Sequence, residues 1–140
     1  MDKQTILNKI ASLKRCIGRI EDKIPKTSRQ LKSDYDLQDI VSLNLQRAVQ
    51  VCVDIAARLN AEMSARAPES MVESFENLNR FRIISDETCE RMQKSVGFRN
   101  IAVHEYSTIN WDIVFSVSTT NLDDFRQFAR EIITWTNDSK

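Results

Sequence analysis

Histidine is almost missing from this chain of 140 residues: His104 is the only one. With three cysteines (Cys16, Cys52, Cys89), none forming a CxxC pair, a zinc site would lack ligands. Glycine and proline are equally scarce, two of each, so the chain cannot punctuate many short strands and long helices are expected instead. No window of about 18 apolar residues is evident, and the start of the chain lacks the apolar stretch of a secretion signal. The expectation is a cytoplasmic protein with no membrane contact, its Cys16 and Cys52 serving as small core residues in a reducing compartment.

What remains is an ordinary globular composition, 41% hydrophobic and 29% charged, in a length that suits a single domain over residues 1–140. The formal net charge is zero but unevenly placed. Residues 1–33 hold nine Lys/Arg against three Asp/Glu, an excess of six positive charges that the rest of the chain balances. Such a segment suits a polyanion or an acidic protein surface, or is simply the solvated face of a helix.

Apolar periodicity supplies the elements. Ile6, Ile10, Leu13, Ile17, Ile20 and Ile24 recur at alternating spacings of four and three, one stripe on a helix that Pro25 ends. The stripe suits a bundle packing face or a coiled-coil seam. Ser33 with Asp36 resembles a capping box opening a second helix from about Asp34 to Ala65. Its apolar arc (Leu37, Val41, Leu45, Ala48, Cys52, Ile55, Leu59) is broad enough to make it central, with Asn44, Arg47 and Asp54 as polar groups that are either solvated or satisfied, or on an edge that reaches a site. Pro68 suits the first position of a third helix, which carries Phe75 and Leu78. Ser85 with Asp86 and Glu87 marks the start of a fourth, in which Gly97 either kinks the helix or permits close approach. Asn110 to Ser118 reads as a short helix, followed by an apolar face from Leu122 to Trp135. The expected architecture is all-α, a compact antiparallel bundle of about five to six helices.

The chemistry concentrates in residues 99–106. Arginine grips phosphate bidentately and keeps its charge, while histidine exchanges protons near neutral pH. On a regular helix, at about 100° per residue, Asn100 and His104 share a flank. Tyr106 would return almost above Arg99, while Ile101 and Ala102 would face the core. This combination suits work on a phosphodiester.

Arg99-Asn100-x-x-x-His104-x-Tyr106 resembles the R-x4-H-x-Y motif of HEPN-domain toxins, in particular HepT of the MntA–HepT (type VII) toxin–antitoxin systems. The likeness extends over nearly the whole chain. It takes in Leu37 to Glu62 with Asn44-Leu45-Gln46-Arg47-Ala48-Val49, Gly97-Phe98 ahead of the motif, and Trp111-Asp112 at the entry to the last helices. The resemblance implies a single HEPN-like domain, a homodimer, and a metal-independent endoribonuclease needing no cofactor. His104 would be its acid–base residue and Arg99 its phosphate binder, both catalytic, with Asn100 and Tyr106 in support. The implied partner is a nucleotidyltransferase antitoxin of the MNT type that transfers AMP to Tyr106.

Cutting RNA through its own 2′-hydroxyl requires one proton removed and one donated. If histidine does both, a two-fold dimer must bring His104 and its mate to one cleft. Two other readings stand beside this one. The first is a non-catalytic subunit that presents a nucleotide or other substrate to a nucleotidyltransferase. The second is a plain interaction protein dimerising through the Ile6–Ile24 stripe.

Overall fold

The computed structural model describes residues 3–63 and 66–138. Among them are seven α-helices and no strand: α1 (Lys3–Lys23), α2 (Ser28–Ser33), α3 (Tyr35–Glu62), α4 (Met71–Arg80), α5 (Asp86–His104), α6 (Trp111–Thr120) and α7 (Asp123–Asp138). The all-α expectation holds, with one helix more than foreseen. The addition is α2, six residues opened by a capping box in which Thr27 accepts from Gln30 and the Gln30 side chain reaches back to the Thr27 amide.

That short helix also moves the predicted cap of α3. Ser33 is the last residue of α2, and Asp34 is the N-cap of α3, accepting from the Leu37 amide at 3.0 Å. The helix ends at Glu62, and the predicted terminus Ala65 lies outside the described residues. Pro68 does not open α4 either. Ser70 does, accepting from the Glu73 amide, because a side-chain acceptor satisfies a helix N-terminus and a proline two residues upstream cannot. Ser85 caps α5 as expected, through the Thr88 amide. The α4–α5 turn shows how a glycine-poor chain makes a tight reversal. Arg82 takes φ 61°, and the Ile83 amide returns to the Leu78 carbonyl at 2.9 Å while the Ile83 side chain is buried.

Packing places α3 at the centre, in contact with all six other helices. The stripe of α1 is spent against it: Ile6, Ile10, Leu13, Ile17 and Ile20 are all buried, so this face is neither a free coiled-coil seam nor a free dimerising surface. The two helices run antiparallel, Lys9 pairing with Asp54 at 3.5 Å. A buried polar tie links α3 to α4, with Asn77 donating to Asn60 at 2.7 Å and Asn60 donating to the Ala56 and Ser74 carbonyls. At the far side Phe75 and Phe128 meet edge to face, centroids 5.7 Å apart. All three cysteines are free and buried, and burial pushes each thiol upward, which suits inert core residues.

One sequence expectation needs correction here. By length and composition α3 does contain a window apolar enough to cross a membrane, but half of that window is buried in this bundle, as expected of a central helix. Gly97 lies within continuous α5 and an added Cβ would meet nothing within 4 Å, so no close approach inside this chain requires glycine there.

Candidate functional site

The site is built where the last turn of α5 crosses α3. Arg99, Asn100 and His104 stay helical, so Asn100 and His104 lie one turn apart on the same flank, as the spacing predicts. His104 is exposed, and no hydrogen bond or ion pair engages it among the described residues. Arg99 is half-buried and lightly held. Its guanidinium donates to Gln50 on α3 at 3.5 Å and to Asn100 at 3.4 Å, both long, with no carboxylate in ion-pair range among the described residues. Gln50 in turn donates to Asp54 at 2.9 Å, and Asp54 pairs with Lys9, so a polar chain crosses from α5 through α3 to α1. The Asp54 edge of α3 therefore does reach the site, as one reading of the sequence allowed.

Tyr106 departs from the helical-wheel expectation. Helix α5 stops at His104, because Glu105 turns to φ −140°, and Tyr106–Thr108 form a 3₁₀ turn. Two anchors hold this exit: Ile109 is buried, and Asn110 caps α6 by accepting from the Asp112 and Ile113 amides. Tyr106 consequently swings away from Arg99 and back onto α3. Its hydroxyl donates to Asp39 at 2.6 Å, and its ring meets Trp111 edge to face at 5.8 Å. Arg99 and Tyr106 thus touch α3 eleven residues apart, about 16 Å along its axis.

Burial first, then the adjacent Asp39 carboxylate, pushes the Tyr106 phenol up to about 12. The phenol is held neutral with an acceptor already in place for its proton.

Ala102 packs into the core as expected, but Ile101 does not. Ile101 and Val103 are each 46% exposed beside His104. Apolar side chains left bare around an uncommitted His and Arg mark this face as one that a second surface would cover.

Two residues of the arrangement escaped the sequence reading, Asp39 and Gln50. Their only signal was a polar stripe, Asp39, Gln46, Gln50 and Asp54, interrupted by Leu43 along one edge of an otherwise apolar helix. No group of three or more His, Cys, Asp or Glu among the described residues is placed to hold a metal ion.

Residues 13–132 match the family model described as Ribonuclease HepT-like. The chain belongs to the HepT-like ribonuclease family. This HepT-like chain is 44% identical over 123 residues to the mRNA nuclease HepT of Shewanella oneidensis, covering 88% of this chain and 92% of that one. It is 28% identical over 120 residues to the tRNA nuclease HepT of Aphanizomenon flos-aquae, covering 83% and 82% respectively. Its fold is similar to that of the tri-AMPylated Shewanella oneidensis HEPN toxin in complex with MNT antitoxin. The TM-score is 0.87 at 42% identity, over 96% of this chain and 99% of that one.

Proposed function

We propose that this HepT-like chain is the toxin of a prokaryotic toxin–antitoxin pair. It is an endoribonuclease that cuts RNA in a homodimer cleft without a metal or other cofactor, and an MNT-type nucleotidyltransferase neutralises it by AMPylating Tyr106. The observation that carries this reading is that Arg99 and His104 stand on one exposed helix end with neither consumed by an internal ion pair. The chain acts as one HEPN-like domain over residues 1–140, in the cytoplasm, where RNA is present and free thiols persist.

The chemistry follows from these groups. The 2′-oxygen of a ribose attacks the adjacent phosphorus, the P–O5′ bond breaks, and a 2′,3′-cyclic phosphate forms. One His104 removes the 2′-hydroxyl proton while its mate across the two-fold axis protonates the leaving 5′-oxygen. Arg99, weakly held, turns its fork to the non-bridging oxygens, where charge grows in the transition state. Asn100 steadies Arg99 through the contact it already makes. The bare Ile101 and Val103 supply apolar area for the two-fold contact.

Neutralisation uses Tyr106. The phenol oxygen attacks the α-phosphorus of ATP, pyrophosphate leaves, and the phenol proton passes to Asp39, its present acceptor. Each added AMP brings anionic phosphate and bulk to the rim where RNA phosphate must pass.

Expression of the chain without its antitoxin tests the reading. Intact protein should arrest growth and fragment RNA to 2′,3′-cyclic ends, whereas His104→Ala should lower cleavage by about 10²–10⁴-fold. Equal cleavage by wild type and His104→Ala would remove the catalytic assignment. Co-expression with the antitoxin should add AMP mass increments that Tyr106→Phe abolishes.

A further inference from the structure

A groove of about 460 Å³ lies between α1 and α3. Arg15 and Arg19 of α1 and Arg47 of α3 line it, over an apolar floor that includes Ile40 and Leu43. All three arginines are exposed, and none has an ion pair or hydrogen bond among the described residues. By contrast, Arg91 and Arg126 each hold two carboxylates, and Lys9 and Lys32 one each. The groove thus gathers three arginines that meet no counter-charge among the described residues. Arg47 and Arg15 both bear on the Cys16 thiol, lowering what burial raises.

The groove does not end blindly. Gln50 lines it and is also the residue that accepts from Arg99. The cationic track thus runs from α1 over α3 to the catalytic arginine. Arg15 and Arg19 lie one turn apart, about 6 Å along the helix, a spacing that matches successive phosphates of an extended single strand.

We propose that Arg15, Arg19 and Arg47 form a subsite for the backbone of single-stranded RNA, delivering the strand to Arg99 and His104. The proposal rests on the ribonuclease reading and extends it to how substrate is held. Guanidinium forks suit phosphate oxygens, and the groove offers no aromatic ring on which bases could stack. Binding here is accordingly backbone-directed, indifferent to sequence and sensitive to salt.

The test uses the full chain with a 2′-O-methyl single-stranded oligonucleotide, which binds but cannot be cut. Replacement of the three arginines (Arg15→Ala, Arg19→Ala, Arg47→Ala) should reduce the salt slope of log Kd by about 2, at roughly 0.7 per phosphate contact for single strands. The wild type should then lose about 20-fold more affinity than the variant between about 50 and 200 mM salt. The corresponding lysine variants, which keep the charge, should retain most of the slope. Circular dichroism checks that the bundle persists, as expected for exposed side chains.

An unchanged slope in the alanine variant overturns the proposal. So does intact RNA binding with loss of the antitoxin complex, which would assign the groove to an acidic protein surface. Because the oligonucleotide is uncleavable, failure here is separable from failure of the ribonuclease reading, which only the His104 comparison decides.

Discussion

Helix α5 contains two arginines two turns apart, and the protein treats them in opposite ways. Arg91, in the first half, meets Asp124 and Glu87, each at 2.6 Å, and those hydrogen bonds raise its already high pKa further. Around it Thr88, Cys89, Met92 and Val96 are buried, and Glu131 of α7 receives the Ser85 amide and the Thr88 hydroxyl. Arg99, in the second half, has two long amide contacts and no carboxylate, and its neighbours Ile101, Val103 and His104 are bare. One half of the helix is finished by its own chain, while the other leaves its cation and apolar side chains uncommitted among the described residues. A guanidinium that is to bind phosphate must not be neutralised beforehand, and the contrast with Arg91 supports the phosphate role proposed for Arg99.

The comparison can be broken most directly by exchanging the losses. Arg99→Ala should lower RNA cleavage by about 10²–10³-fold, the usual cost of removing a donor aimed at developing charge, with little change in melting temperature. Arg91→Ala should leave cleavage rates alone and lower the melting temperature slightly, since exposed ion pairs contribute little. A large catalytic loss from Arg91→Ala would erase the distinction. Next in size is the core under the finished half. Met92 is fully buried, so Met92→Ala should cost about 2–5 kcal/mol, measured by urea unfolding. Val103→Ala, bare in the single chain, should cost much less in the monomer and appear instead as weaker dimerisation in sedimentation.

A third measurement sharpens the role of the helix exit. In a Tyr35→Phe background, absorbance titration should place the Tyr106 phenolate near 12, and Asp39→Asn should bring it part of the way down, leaving the share that burial raises. Because the folded value lies above the reference value of 10.0, the associated stability is complete below pH 10 and lost as the pH rises towards about 12. The same variant should slow AMPylation of Tyr106 at neutral pH. An unshifted phenol in Asp39→Asn would leave burial as the whole cause.

The legibility of these features differs for a physical reason. The stripe of α1, the broad arc of α3, the Ser85 cap and the placement of Arg99, Asn100 and His104 depend on residues within a few turns of each other, and periodicity expresses that range well. Three local expectations failed where two signals competed: Ser33 against Asp34, Pro68 against Ser70, and a continuous helix against the Glu105 break. The break carries no glycine or proline to announce it. It follows from Ile109 entering the core and Asn110 capping the next helix, so the chain must turn before them.

The sequence by itself settled that this is a helical bundle and that Arg99 and His104, the groups proposed to grip phosphate and handle protons, share one helix end, because 3.6-residue periodicity is written in neighbouring side chains. Only the tertiary structure decided the partners. Asp39 meets Tyr106 across 67 positions, Gln50 meets Arg99 across 49, and α1 and α3 gather three arginines along one groove. Those contacts exist only after the helices pack, since burial of apolar stripes sets which polar edges come to face one another.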